Sequence, residues 1–281
     1  MITDVPGVRV GHFTNAAART GCTVVLPPPG VVASGEIRGG APAERDFALL
    51  APERSVERVD AVVLSGGSVY GLAAADGALR WCEEQRRGLE TPAGRVPIVV
   101  GLSIFDLLVA EPGVRPTADD GYAACAAATD DAQQTGPVGA GAGASVGNWR
   151  GPARARPAGL GSASERSGDL VVGALAVVNA FGDGLQPEQE RPGIDEMHVL
   201  PLTGNTTLAV VATNARLPKL GCHLVAQSAH DGFARALEPA HTAMDGDAAV
   251  VFATGQADAP LEAVRALAAR AVEAAIRRAL G

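Results

Sequence analysis

The sequence predicts a layered protein of the α/β (α+β) class, and three observations carry that prediction. Short apolar runs rich in Val, Leu and Ile alternate along the chain with longer Ala-rich amphipathic segments. Turn-forming clusters separate them, in keeping with 35 glycines and 19 prolines among 281 residues. The composition is 47% hydrophobic and 19% charged without an internal repeat, so the chain can bury a real core and is neither disordered nor a solenoid.

Val8-Arg9-Val10-Gly11-His12-Phe13 alternates and predicts a strand, and Cys22–Leu26 predicts another. Pro27-Pro28-Pro29-Gly30 is a turn because proline removes ladder donors, and Val31–Ile37 is a third strand. In Arg38-Gly39-Gly40-Ala41-Pro42 the paired glycines indicate a bend or a close backbone approach. Val59–Leu64 is a buried-type strand. Ser65-Gly66-Gly67-Ser68 then opens a helix expected from about Val69 to Arg87, with Leu72, Leu79 and Trp81 among its apolar positions. Such a junction can offer backbone N–H groups to an anion, although a tight strand-to-helix turn is the commoner use.

Val96–Leu102 reads as a strand and Asp119–Thr129 as a helix, where Asp119 and Asp120 suit the N-terminal dipole. The glycine stripe Gly136–Gly147 lacks the spacing of a nucleotide loop and marks a close passage past a pocket or another strand. Gly159–Glu165 and Asp169–Asn179 predict a hairpin through Arg166-Ser167-Gly168. Gly182–Gly204 is polar and aperiodic and, at roughly twenty residues, exceeds ordinary connections, so it reads as a linker or functional loop. It runs into Asn205-Thr206-Thr207 and a strand from Thr206 to Thr213. Beyond come a helix at Lys219–Leu237 carrying Leu220, Leu224 and Phe233, and a turn at Asp245-Gly246-Asp247. A strand at Ala248–Ala253 and a long amphipathic helix at Leu261–Leu280 complete the chain.

Net charge is −8, and no basic cluster exists beyond Arg150, Arg154 and Arg156, so no nucleic-acid partner is expected. Met1–Pro6 lacks a signal-type pattern, and the longest apolar run, Leu170–Phe181, is too short for a bilayer. The expectation is a cytoplasmic chain with no membrane partner and with free, buried thiols at Cys22, Cys82, Cys125 and Cys222. His223 and His230 share a helix face, and His241, Asp245 and Asp247 lie near one another, but neither set has zinc or calcium spacing. No metal and no cofactor are expected. A G-x-S-x-G elbow is missing, as is a convincing cysteine–histidine pair.

Thr206 remains as a nucleophile. A threonine opening a strand is commonplace, since β-branched residues favour strands. The functional alternative is that its hydroxyl attacks the Asn205 carbonyl and frees a new N-terminus. A free α-amine has a reference pKa of about 7.7–8.0 and can serve as general base for its own hydroxyl.

An ordered set of motifs adds to this. Asp4-Val5-Pro6-Gly7-Val8-Arg9-Val10-Gly11-His12, Gly21-Cys22-Thr23-Val24-Val25, Arg38-Gly39-Gly40-Ala41-Pro42 and Leu64-Ser65-Gly66-Gly67-Ser68 come first. Val138-Gly139-Ala140-Gly141, Val178-Asn179-Ala180-Phe181-Gly182, Asn205-Thr206-Thr207 and Met244-Asp245-Gly246-Asp247 follow. Nearly end to end, the chain resembles the L-aminopeptidase/D-esterase (DmpA-like) family, which includes β-aminopeptidases and nylon-oligomer hydrolases. The resemblance implies an α-β-β-α sandwich of the N-terminal-nucleophile type, related in outline to ornithine acetyltransferase, and commonly a tetramer or other homo-oligomer.

It also implies roles. Thr206 takes the place of the nucleophile, and Asn205-Thr206 that of the self-cleavage site. Asn179 corresponds to an oxyanion-hole asparagine, and Asp245 and Asp247 to the paired acidic residues behind the nucleophile. Phe105 replaces a tyrosine and Asn148 a lysine found in some members. The expected molecule is one domain over residues 1–281, cut into 1–205 and 206–281. It hydrolyses a small peptide or amide through an acyl-Thr206 intermediate, as an aminopeptidase. The alternatives are an acyl transferase of the ornithine acetyltransferase type and a non-catalytic single-chain homologue.

Overall fold

A computed structural model describes residues 1–151, 153–185 and 204–281. In chain order the strands begin with β1 (Arg9–Asn15), β2 (Thr20–Leu26), β3 (Val32–Ile37), β4 (Glu44–Arg45), β5 (Ala61–Ser65), β6 (Leu89–Thr91), β7 (Gly94–Val96) and β8 (Val99–Ser103). They continue with β9 (Ser145–Val146), β10 (Arg156–Pro157), β11 (Leu160–Ser167), β12 (Leu170–Asn179), β13 (Asp183–Gly184), β14 (Thr206–Ala215), β15 (Leu237–Glu238) and β16 (Ala248–Ala257). The α-helices of the described residues are α1 (Ala74–Glu84), α2 (Ala118–Ala126), α3 (Lys219–Ala236) and α4 (Leu261–Leu280).

Two sheets dominate, one ordered β1-β2-β5-β8-β4 and the other β11-β12-β14-β16-β3. The inner strands β2, β12 and β14 are buried on both faces, which is why they read as continuous apolar runs. One side-chain set of each strand points into the space between the sheets: Val62, Leu64, Val100 and Leu102 meet Leu175, Val177, Leu208, Val210, Val250 and Phe252. The other set of the second sheet, including Val172, Ala174, Ala209, Val211 and Val251, packs under α3 and α4 through Val225, Phe233, Val264 and Val272. The first sheet's outer set, Val24, Ala61, Val63 and Val99, packs under α1 and α2. The result is an α-β-β-α sandwich, as expected.

Several elements differ from the sequence reading. The helix expected over Val69–Arg87 is a 3-10 turn at Ser68–Ala73 followed by α1, and its buried face is Ala74, Ala75, Ala78 and Cys82 rather than Leu72, Leu79 and Trp81. Gly67 and Ser68 both hold positive φ there, which forbids a regular helical start. The strand expected over Val96–Leu102 is split at Pro97, with β7 pairing β6 in a small hairpin and β8 lying centrally in the first sheet. The turn between β11 and β12 falls at Gly168-Asp169. On α3, Leu220 is exposed, while Cys222, Val225, Ala226 and Ala229 form the buried stripe. Most of the Gly182–Gly204 loop lies outside the described residues; its start pairs as β13 with β15.

The sheet order brings three ends together. The last residue of β12, Asn179, stands opposite the first residue of β14, Thr206. The strand β16 runs parallel to β14, with Leu208 beside Ala248, and Asn205 bridges to Asp245 just before β16 starts.

Candidate active site

Thr206 is 3% exposed at the head of β14. Its Oγ1 hydroxyl donates to the carbonyl oxygen of the preceding Asn205. The same oxygen accepts the Gly246 amide at 2.8 Å, and the Asn205 amide donates to Met244 at 3.0 Å. A hydroxyl and the carbonyl it would attack are therefore in contact, with a backbone donor polarising that carbonyl. Gly246 has to be glycine for this arrangement, because a Cβ there would stand 2.7 Å from Thr206 Oγ1 and 2.8 Å from the Ala41 carbonyl.

The turn carrying Gly246 is pinned by Arg38-Gly39-Gly40-Ala41. The Arg38 amide donates to the Asp247 carbonyl at 2.9 Å, and the Ala41 amide to the Asp245 carbonyl at 2.8 Å. A Cβ on Gly39 would come within 2.3 Å of both the Asp245 oxygen and the Asp247 nitrogen, so the close approach foreseen from the paired glycines is to this turn.

Asp245 and Asp247 are each 1% exposed and accept only from donors. Asp247 Oδ1 accepts the Thr207 amide at 2.7 Å, while its Oδ2 accepts the His241 amide at 2.9 Å and meets His241 Nδ1 at the same distance. Asp245 Oδ1 accepts the Phe181 amide at 3.1 Å, and Oδ2 accepts the Thr242 amide at 3.0 Å and hydroxyl at 2.5 Å. The Asp247 carboxylate thus fixes the backbone just after Thr206, while that of Asp245 ties its own turn to the Phe181 amide beyond the end of β12. Burial first, and then the charge of Asp247, push the Asp245 carboxyl up to about 6, against the pull of its hydrogen bonds.

This gives a pH prediction. Asp245 needs its charge to hold all three donors, so the hydrolysis rate should rise with pH through about 6, and Asp245→Asn should remove that limb. Stability moves the other way. A carboxyl raised above its ordinary 3.8 favours the fold most below that value and loses this contribution as pH rises through about 6. Paired rate and unfolding profiles check both signs.

Asn179 is held from two sides. Its Nδ2 donates to the Phe105 carbonyl at 2.9 Å, and its Oδ1 accepts the Ser145 amide at 3.1 Å. Asn148 braces the same corner, donating to the carbonyls of Ser145 at 3.2 Å and Ala180 at 2.9 Å. The ring of Phe105 packs on Gly204, where a Cβ would lie 2.7 Å from it. Phe105, Leu108, Ser145, Asn148, Asn179 and Asn205 line one cavity of about 290 Å³, completed by Arg19, Arg156 and their neighbours.

Other candidates resolve into structure. The amides of Gly66, Gly67 and Ser68 go to Gly21 O, Asp106 Oδ1 and Ile104 O, so that junction presents no anion site. Asp106 has no role assigned by the sequence reading; it is buried beside Phe105 and also accepts the Thr20 hydroxyl at 2.7 Å. Its one signal was an acidic residue leaving an apolar strand. His223 and His230 each turn to a β3 carbonyl, Gly35 at 3.1 Å and Glu36 at 3.2 Å. His241 serves Asp247, and no group of three or more His, Cys, Asp or Glu among the described residues could hold a metal ion. The four cysteines are free and buried. No helix of the described residues is long and apolar enough to cross a membrane.

A sequence profile described as Peptidase family S58 matches residues 1–281, the whole chain. The chain belongs to this peptidase family. An uncharacterized aminopeptidase of Mycobacterium tuberculosis is 45% identical over 294 aligned positions, which cover 93% of this chain and 83% of that protein. A 6-aminohexanoate-oligomer endohydrolase of Kocuria sp. is 29% identical across 92% of this chain and 76% of its own length. Among solved structures, a β-aminopeptidase of Burkholderia sp. matches with a TM-score of 0.74 at 27% identity, over 99% of this chain and 85% of that one. The L-aminopeptidase D-Ala-esterase/amidase of Ochrobactrum anthropi matches with the same TM-score of 0.74 and the same coverage at 20% identity, a likeness of fold. The sandwich is thus of the N-terminal-nucleophile hydrolase type, and membership of the family makes the chain a peptide hydrolase.

Proposed function

We propose that this hydrolase is an aminopeptidase-type enzyme whose nucleophile is Thr206, released by self-cleavage. The observation that carries the reading is the Thr206 hydroxyl on the Asn205 carbonyl, with the Gly246 amide as second donor to that oxygen. Attack of Oγ1 on the carbonyl carbon forms a C–O bond and breaks the C–N bond, leaving an ester and a free α-amine. Water then cleaves the ester and yields an Asn205 carboxylate and an N-terminal Thr206. The Gly246 amide is placed where negative charge develops on the Asn205 oxygen.

In turnover the free α-amine takes the Thr206 proton as the hydroxyl attacks the substrate carbonyl, and passes it to the departing amine. Water, deprotonated by the same α-amine, hydrolyses the acyl ester. Asn179 lines the cavity beside Thr206, and one of its Nδ2 hydrogens is uncommitted among the described residues, which suits it to stabilise the substrate's oxyanion. Asp247 holds the Thr207 amide and so the Thr206 backbone, Asp245 holds the Phe181 amide, and the pair places negative charge behind the ammonium that forms.

A slowly turned-over ester tests this. Mass spectrometry should find the acyl group on the fragment beginning at Thr206, and hydroxylamine should remove it. An acyl group on any other residue contradicts the reading. With an added amine, the free acid should remain the main product, whereas an amide product would favour acyl transfer.

A further inference from the structure

We propose that the cavity beside Thr206 selects a substrate bearing a carboxylate, held by Arg19 and Arg156. This deepens, and rests on, the reading of Thr206 as nucleophile. Among the described residues lining the cavity, these two arginines are the charged side chains, and none is acidic. The carboxylates next to Thr206 in the fold, Asp245 and Asp247, are 1% exposed and already taken by amide, hydroxyl and imidazole partners. A substrate ammonium finds neutral acceptors but no opposite charge in this described lining, while a carboxylate finds two cations.

Arg19 is placed with care. It sits at the tip of the β1–β2 hairpin with φ of +54°, a left-handed conformation usually left to glycine or asparagine. Around it, Asn15 Oδ1 accepts the Ala18 amide at 3.0 Å and the Ala18 carbonyl accepts the Glu111 amide at 2.9 Å. The Arg19 carbonyl abuts Gly143, where a Cβ would fall 2.3 Å away. The backbone is fixed, yet the exposed guanidinium makes no hydrogen bond or ion pair with any described residue. Strain retained at a cavity wall, supporting a cation without a partner among the described residues, fits a ligand-binding role.

Arg156 has spare capacity too. Its ion pair with Asp183 is loose at 3.6 Å, and its side chain is 54% exposed. Asp183 is already bound by Trp149 Nε1 at 2.8 Å and Arg150 Nη2 at 2.9 Å. Guanidinium groups bind carboxylates through paired N–H donors, so two of them suit a free carboxylate better than a neutral amide end.

Three peptides test the proposal: L-Ala-L-Ala, its C-terminal amide, and L-Ala-L-Glu amide, whose only carboxylate is on the side chain. Wild-type kcat/KM should favour the free acid over the amide by about tenfold to a hundredfold, the scale of a charged hydrogen bond. Preference for the third peptide over the plain amide would assign the carboxylate to the side chain instead of the terminus. Arg19→Gln should cut the acid-to-amide ratio at least about fivefold through KM, and added salt should shrink it in the wild type. Equal rates on all three, or a ratio unmoved by Arg19→Gln, overturns the proposal. Chain masses are recorded alongside. Two chains with hydrolysis but no preference reject the carboxylate site alone; one uncut chain, inert on all three peptides, rejects the nucleophile and the site together.

Discussion

Thr206→Ala will leave a single uncut chain with hydrolysis reduced at least about a thousandfold, while Thr206→Ser will still cleave and turn over at a lower rate. The substitution removes a hydroxyl and a methyl at a buried position in β14 and leaves the strand's backbone pairing with Asn179 in place. Its stability cost should be about 1 kcal/mol, so lost activity would not stem from lost folding. The serine variant separates nucleophilicity from packing. It keeps the oxygen but loses the branching that holds χ1, so the hydroxyl spends less time on the Asn205 carbonyl. Full activity in Thr206→Ala would remove the nucleophile from the account.

Gly246→Ala is expected to have the next largest effect. The added methyl would be 2.7 Å from the Thr206 hydroxyl and 2.8 Å from the Ala41 carbonyl, and the latter is backbone pinned by its own hydrogen bonds. Either the hydroxyl moves off its target or the amide donor to the Asn205 oxygen moves away. A displacement near 1 Å costs about a hundredfold in rate, and loss of an oxyanion donor about the same or more. Self-cleavage should therefore slow by about a hundredfold or more, against a stability loss of about 1–3 kcal/mol from overpacking. A time course of chain cleavage beside an unfolding curve measures both. Wild-type cleavage kinetics in this variant would show that Gly246 is a matter of turn geometry alone.

Much of this was legible in the residues. Apolar runs marked β2, β5, β12, β14 and β16 because each is buried on both faces. That same property hid the layering, since an all-apolar strand does not say which side chains face a helix and which face the other sheet. Nor does local sequence show that β3 crosses to the second sheet and pairs with β16, some two hundred residues later in the chain. Expected helix ends slipped where positive φ at Gly67 and Ser68 forced a 3-10 start.

The site divides in the same manner. Side chains with a chemical signature, Thr206, Asn179, Asp245 and Asp247, were found through the order of their motifs, and the structure gathers them at one sheet end. The Gly246 amide and the two constraints on Asn179 are backbone contacts, which leave no residue-type signal. Two expectations changed in meaning. The carboxylates behind the nucleophile bind backbone amides, Asp247 that of Thr207 and Asp245 that of Phe181, and Asn148, which stands in place of a lysine, is a brace under Asn179.

The central claim is that the chain cuts itself at Asn205-Thr206, and intact mass of the freshly purified protein tests it most directly. The 28.3 kDa chain should be replaced by two fragments whose masses correspond to residues 1–205 and 206–281, the smaller beginning Thr-Thr-Leu. A chain that stays whole after prolonged incubation from pH 5 to pH 9, or that is cut at any other bond, would contradict it.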